Sequence, residues 1–310
     1  MITILGSGAA APKTNRYPTA QALQVNECVY LIDCAEGAQM QLRRYKVKFQ
    51  HIKVIFISHL HGDHVYGLLG LLSSMSMLDR TEPLDIFCPP YLDEWFLGQS
   101  KYFTPLGFQL NFHILTEPLP YPHNKGESYA LNVIYEDKNI TVSCFPLKHR
   151  IPTWGYIFRE KPKLLNIRKD MIDFYRIPLR DIHAIKAGAG FITEDGKTIP
   201  NEHLTLKPVK PRSYAFCTDT VYMEEISEIV KDVDLLYHEA TYGNDENSRA
   251  KETFHSTAEE ASKIALAANV GKLIIGHFSS RYKDINPLLE EARKVFPNTE
   301  AVEDGSIFQI

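Results

Sequence analysis

The stretch from Ser58 to Leu72, SHLHGDHVYGLLGLL, constrains this chain more than any other. It places His59, His61, Asp63 and His64 within six residues, directly after the apolar run Val54-Ile55-Phe56-Ile57. A short apolar run that stops at Ser-His and gives way to leucines at helical spacing predicts a buried strand, a tight loop and a helix. Imidazole and carboxylate together suit zinc and similar divalent ions. Six residues cannot wrap four such groups around one ion without strain, so two adjacent ions explain the crowding better. A lone histidine in a loop would read as an ordinary polar surface residue. Four such groups behind a buried strand favour a metal, because neutral imidazoles gathered there need partners.

The remaining candidates lie at the ends of other predicted strands. Ile140 to Phe145 leads to His149, Tyr214 to Cys217 to Asp219, Leu235 to Tyr237 to His238-Glu239-Ala240-Thr241, and Lys272 to Gly276 to His277. Strand ends are where α/β folds place their sites. Strands are also expected at Ile2 to Leu5, Cys28 to Asp33 and Leu84 to Cys88, with a hairpin around Asp137-Lys138-Asn139. Helices are expected at Ala38 to Arg44, Tyr91 to Ser100, Met223 to Val230, Thr257 to Ala268 and Pro287 to Phe296. Asp33 either braces a ligating histidine or caps the helix near Ala38. Ser256 with Glu259 has the pattern of a helix capping box. Gly6-Ser7-Gly8 reads as a structural turn, since no complete phosphate-loop motif follows. His238 reads as structural, and His113, His123, His183 and His203 as surface residues.

The alternation of strands and helices in each half, with hairpin signals between, predicts an α/β (α+β) fold of two mixed sheets flanked by helices. At 310 residues one domain of this kind, spanning 1–310, accommodates the whole chain. Residues 160–212 are proline-rich and irregular beyond a helix-like piece near Arg168 to Tyr175, and read as an inserted arm without a second core. The formal net charge of −4 hides an asymmetry: Arg150 to Lys186 carries +5 and the remainder −9. The five cysteines are odd in number and sit in or beside apolar runs, as buried thiols do in a reducing compartment. With no signal-peptide pattern and no apolar run long enough to span a bilayer, a cytoplasmic protein without a membrane partner is expected.

SHLHGDH, His149 in PLKHRIPTWGY, Asp219 in CTDT, HEAT at 238–241, HST at 255–257 and His277 in GHFSSRY together resemble ribonuclease Z. That family comprises the tRNA 3′-processing endonucleases of the metallo-β-lactamase superfamily. The motifs occur in the family's order across residues 2–282. H-x-H-x-D-H alone would indicate only the superfamily, whereas HEAT followed by HST points to ribonuclease Z. The resemblance implies an αβ/βα sandwich with a protruding arm, and two zinc ions per subunit. His59, His61 and His149 would hold one ion, Asp63, His64 and His277 the other, with Asp219 bridging both. It also implies precursor tRNA as substrate and a homodimer.

Seven ligands sharing one carboxylate leave positions open for water and phosphate, as a catalytic site requires. Two ions about 3.5–4 Å apart can clamp both the attacking and the leaving oxygen of an in-line displacement. In the expected hydrolysis Asp63 positions the water and accepts its proton, and His255, oriented by Glu239, protonates the leaving 3′ oxygen. The basic segment suits an RNA polyanion. The family's arm is Gly-Pro-rich, but here that place is taken by RIPLRDIHAIKAG, Arg176 to Gly188. A hydrolase of small phosphodiesters or sulfate esters on the same fold is the alternative reading.

Overall fold

The computed structural model describes residues 1–102, 105–116 and 131–310, so His123 lies outside the described residues. Its strands are β1 (Ile2–Gly6), β2 (Ala20–Val25), β3 (Cys28–Ile32), β4 (Ile52–Phe56), β5 (Leu84–Cys88), β6 (Leu110–Ile114), β7 (Asn132–Glu136) and β8 (Ile140–Leu147). There follow β9 (Thr153–Glu160), β10 (Phe191–Ile192), β11 (Thr198–Ile199), β12 (Ser213–Cys217), β13 (Leu235–Glu239), β14 (Lys272–Gly276), β15 (Thr299–Ala301) and β16 (Ile307–Phe308).

The chain divides into two compact units, one of residues 1–158 with 213–310 and one of residues 159–212. The larger unit holds two seven-stranded sheets, ordered β16-β1-β2-β3-β4-β5-β6 and β15-β14-β13-β12-β9-β8-β7. Both are mixed. In the first, β1, β2 and β3 are antiparallel while β3 to β6 run parallel. In the second, β12 to β15 are parallel and β7 and β8 form a hairpin.

Pleating explains the layers, because alternate residues of a strand face opposite sides. In β3 and β4, Tyr30, Ile32, Val54 and Phe56 enter the apolar core shared with Phe145, Trp154, Tyr156, Phe158, Tyr214 and Phe216 of the other sheet. Their neighbours Val29, Leu31, Ile52 and Ile55 face Leu42, Leu68, Leu71, Leu72 and Met75. Those residues belong to the helices Ala38–Arg44 and Leu68–Met77. A strand buried on both faces reads as a continuous apolar run, which is why the segment before Ser58 carried so clear a signal. Each of these side chains contributes about 1.5–3 kcal/mol by leaving water.

The smaller unit is more regular than its prolines suggest. It has helices Lys169–Tyr175, Leu179–Lys186 and Asn201–Leu204 and the β10–β11 hairpin. Ile177, Ile185, Ile199 and Leu204 form a small buried cluster of its own, a local core that the sequence reading did not expect. The helix Leu179–Lys186 lies within the atypical stretch; Ile182 and Ile185 join this cluster while Leu179 is exposed, which leaves little apolar periodicity to read.

Two other details differ from expectation. β2 was not foreseen, since AQALQV carries two glutamines and two alanines among its six residues; its Gln21 is buried and accepts from the Tyr214 hydroxyl across the core. The capping box lies one residue later than expected, with Thr257 and Glu260 exchanging bonds at the start of helix Ala258–Ala267. Ser256 instead donates from Oγ to the Thr220 carbonyl, 2.7 Å away. Among the described residues, no helix is long and apolar enough to cross a membrane.

Candidate metal centre

The loop after β4 is held in place from both sheets. Asp33, one residue past β3 with φ of 56°, accepts from the Ser58 amide at 2.7 Å and from Ser58 Oγ at 2.8 Å. The Trp154 amide reaches the Ser58 carbonyl at 3.0 Å, and the Tyr156 hydroxyl the Ile57 carbonyl at 2.6 Å. The Cys34 amide donates to the His64 carbonyl at 2.8 Å, and the Gly67 amide to the Cys34 carbonyl at 2.9 Å. A Cβ on Gly67 would run into the Ala35 carbonyl, so glycine lets the loop close onto the end of β3. Asp219, two residues past β12, and His277, directly after β14, likewise have φ of 39° and 59°, a left-handed conformation uncommon for residues other than glycine. It turns both side chains into the same cleft.

Seven side chains converge there. His59, His61, His149 and Asp219 form one set of candidate ligands and Asp63, His64 and His277 another. His61 Nδ1 lies 3.0 Å from His59 Nε2 and 3.3 Å from His149 Nε2. Asp219 faces both sets: Oδ2 is 3.4 Å from His59 Nε2 and 3.7 Å from His149 Nε2, while Oδ1 is 3.4 Å from His64 Nε2 and 3.2 Å from His277 Nε2. Asp63 Oδ2 is 3.7 Å from His64 Nε2 and 3.6 Å from His277 Nε2. A tetrahedral ion with bonds of about 2.0–2.1 Å sets neighbouring donors about 3.3–3.4 Å apart. The observed spacings bracket that value.

Hydrogen bonds on the far side of each ring fix which nitrogen faces inward. His64 Nδ1 donates to Asp33 Oδ2 at 2.7 Å, and His149 Nδ1 to the Phe254 carbonyl at 2.9 Å. Ser58 Oγ gives its proton to Asp33 and so accepts from His59 Nδ1 at 3.0 Å. Thr241 Oγ1 gives its proton to Glu239 Oε2 at 2.5 Å and accepts from His277 Nδ1 at 2.9 Å. In all four rings Nε2 is thereby turned to the cleft, and among the described residues the buried Nε2 atoms of His64 and His277 have no hydrogen-bond partner. Ring nitrogens converging on a carboxylate in this way make a set that a cation can fill.

Protonation follows the same division. Burial, then the neighbouring His64, holds His59 down at about 3, and burial also lowers His61 and His149, so these three are neutral donors. For His64 burial works against the charge, but Asp219, Asp33 and Asp63 outweigh it and raise the ring well above its ordinary value. Its proton fills the place where a divalent ion would balance the same carboxylates.

His255 stands beside the cluster, its ring centre 5.1 Å from that of His149 and 5.4 Å from that of His277. Its Nδ1 donates to Glu239 Oε1 at 2.9 Å. Glu239 is fully buried and also accepts the amides of Thr220 at 2.8 Å and Thr241 at 3.2 Å. Burial disfavours a charged His255, yet Glu239, with Asp219 and Asp63 beyond it, holds the ring up at about 9. The residues His61, Asp63, His149, Asp219, His255 and His277 line an open cleft of about 400 Å³ with Ala10 and Ser280.

The structure thus brings together all nine residues singled out in the sequence. Asp33 braces His64; it does not cap the helix Ala38–Arg44, whose N-cap is Gly37. His238 is buried and bonds the Glu239 carbonyl outside the cluster, while His113, His183 and His203 are exposed. Thr241 was not foreseen as the link between Glu239 and His277, although its place in HEAT was visible. The Ala10 amide, which donates to Asp63 Oδ2 at 2.7 Å, left no sequence signal at all.

A sandwich of two mixed sheets with strand-end histidines around a shared aspartate defines a metallo-β-lactamase-fold protein. The chain aligns with human tRNase Z, short form, at a TM-score of 0.69 and 26% identity, covering 100% of this chain and 98% of that one. It aligns with the metallo-β-lactamase fold protein YhfI from Bacillus subtilis at 0.66 and 17%, covering 98% and 97%. The family model described as anti-Pycsar protein Apyc1 matches residues 1–98. Ribonuclease Z from Phocaeicola vulgatus is 46% identical over 96% of this chain and 93% of its own length. Ribonuclease Z from Bacteroides thetaiotaomicron is 46% identical over 96% and 90%. The chain belongs to the ribonuclease Z family, and its clustered histidines and aspartates make a site suited to divalent metal.

Proposed function

We propose that this protein is a zinc-dependent endoribonuclease that removes the 3′ trailer from precursor tRNA by phosphodiester hydrolysis. The observation that carries the metal assignment is the division of Asp219 between two histidine sets. It supports two ions, with His59, His61 and His149 on one, Asp63, His64 and His277 on the other, and Asp219 shared. The all-nitrogen-and-carboxylate donor set, with no cysteine, suits zinc. Such a pair, when bound, supplies an acidified water and a clamp for the attacking and leaving oxygens.

The chain's own groups do the rest. Asp63, 14% exposed at the cleft wall and anchored by the Ala10 amide, orients the attacking water and takes its proton. His255, charged at neutral pH through Glu239, donates a proton from Nε2 to the departing 3′ oxygen. The smaller unit is the arm, and its lysines and arginines neutralise tRNA phosphates. Met40, Tyr66 and Met77 expose large apolar side chains on or beside the helices that pack at Ala38–Arg44 and Leu68–Met77, which supports a second copy of the chain as partner. Five free cysteines support a reducing, cytoplasmic setting.

The test is cleavage of a precursor tRNA bearing a 3′ trailer beside bis-p-nitrophenyl phosphate, each with and without chelator. Chelator-sensitive release of the trailer is the expected result. Hydrolysis of the small ester with the RNA left intact would move the assignment to a small-ester hydrolase.

A further inference from the structure

Asp304 ties down the loop after β1, which runs beside the candidate metal centre. Asp304 follows β15 in the turn Glu303–Ser306, which docks on β1: the Gly305 amide reaches the Ile4 carbonyl at 2.7 Å, and the Ile4 amide the Ser306 carbonyl at 2.9 Å. From there Asp304 receives donors from both ends of the loop that follows β1. Oδ1 accepts from the Ser7 amide at 3.0 Å and from Ser7 Oγ at 2.7 Å. Oδ2 accepts from the Tyr17 amide at 2.7 Å, and Gln41 Nε2 stands 3.4 Å away.

The loop so closed is wired to the metal residues at two points. The Phe278 amide donates to the Ser7 carbonyl, and the Ala9 amide to the Phe278 carbonyl, each at 3.1 Å, so the loop pairs with the residue next to His277. Next to that pairing Ala10 adopts φ of 61°, and its amide donates to Asp63 Oδ2. A non-glycine residue holds that conformation only when its surroundings impose it. Two constraints flank it: the Ala9 amide on the Phe278 carbonyl, and the closure of Ser7 against Tyr17, completed by the Gly8 amide on the Tyr17 carbonyl at 3.0 Å.

We propose that Asp304 is a positioning residue for Asp63: its carboxylate pins Ser7 and Tyr17 so that the loop between them delivers the Ala10 amide to Asp63. This rests on the metal-dependent hydrolysis proposed above. A carboxylate accepts four donors without supplying one. Asparagine in the same place turns an NH2 group toward a backbone amide, so the loop opens on one side while little volume changes.

Asp304→Asn and Asp304→Glu are compared with wild type by three measurements. These are kcat and KM on precursor tRNA, zinc affinity of the metal-stripped protein by chelator competition, and amide exchange of residues 8–11. The expected result for Asp304→Asn is a kcat lowered roughly tenfold or more with KM within about twofold. Zinc should bind several-fold more weakly and the loop amides exchange faster, and Asp304→Glu should recover part of each. Ser7→Ala, which removes only the Oγ bond, should shift the same quantities by a smaller factor and guards against a variant that fails to fold. A lower melting temperature with unchanged kcat, zinc affinity and loop exchange would overturn the proposal. If wild type does not cleave the RNA, the hydrolytic reading fails, yet zinc affinity and amide exchange still decide whether Asp304 sets the loop.

Discussion

Asp33 Oδ2 lies 2.7 Å from His64 Nδ1, and both side chains are fully buried. The carboxylate fixes the tautomer that leaves Nε2 facing the cleft, and it raises the basicity of the ring. Asp33→Asn keeps the volume but can offer an NH2 to the same nitrogen. Zinc affinity or turnover should fall about 10–100-fold, the usual effect of losing such a partner. Wild-type affinity in a chelator competition would exclude this role for Asp33.

Asp219 turns one carboxylate oxygen to each histidine set, so its removal should act on both proposed ions together. Asp219→Ala should lower bound zinc from two equivalents to at most one, by metal analysis of the purified protein, and abolish RNA cleavage. Dialysis of wild type against chelator should give the same loss, restored by added zinc. Two retained equivalents in the variant would contradict a bridging carboxylate.

The charged state of His255 predicts a pH dependence. A group held up at about 9 is protonated at neutral pH and loses its proton as pH rises. As the proton donor it makes kcat fall on the alkaline side. Bound cations opposite would lower its pKa, so the limb should lie at or below about 9. His255→Ala should cut kcat by about 10²–10⁴-fold and remove that limb. A variant whose pH–rate profile keeps the limb would show that another group carries it.

At the start of helix Ala258–Ala267, Thr257 accepts from the Glu260 amide at 3.2 Å and its own amide reaches Glu260 Oε2 at 2.9 Å. Thr257→Ala should destabilise the fold by about 0.5–2 kcal/mol, read as a lowered denaturation midpoint. The cap touches no metal residue, so kcat should stay within about twofold. A loss of kcat with unchanged stability would place Thr257 in the site after all.

The buried strands, the helices behind them and the strand-end histidines and aspartates were legible because each rests on a local signal, whereas His255 was singled out through the likeness of HST to the family's motif. Val54 to Ile57 is apolar on both faces, Thr257 to Ala268 is amphipathic, and the histidines and aspartates follow strands whose ends define a common edge. β2 was missed because Gln21 serves a hydrogen bond to Tyr214, a residue remote in sequence. Helix Leu179–Lys186 was missed because just two of its residues, Ile182 and Ile185, join a small local cluster, too few to show a periodic apolar face.

Sequence by itself determined that this chain builds a strand-end metal site, because ligand types and their spacing are chemical facts written locally. It also determined the likeness to ribonuclease Z, through motifs in order along nearly the whole chain. Only the tertiary structure decided that Asp33 braces His64, that each oxygen of Asp219 serves a different histidine set, and that Ala10 and Asp304 stand behind Asp63. Those relationships join residues tens to hundreds of positions apart, through backbone amides and positive-φ turns. A hydrogen bond of that kind depends on where two segments meet in space, and an amide that makes one looks, in sequence, like any other.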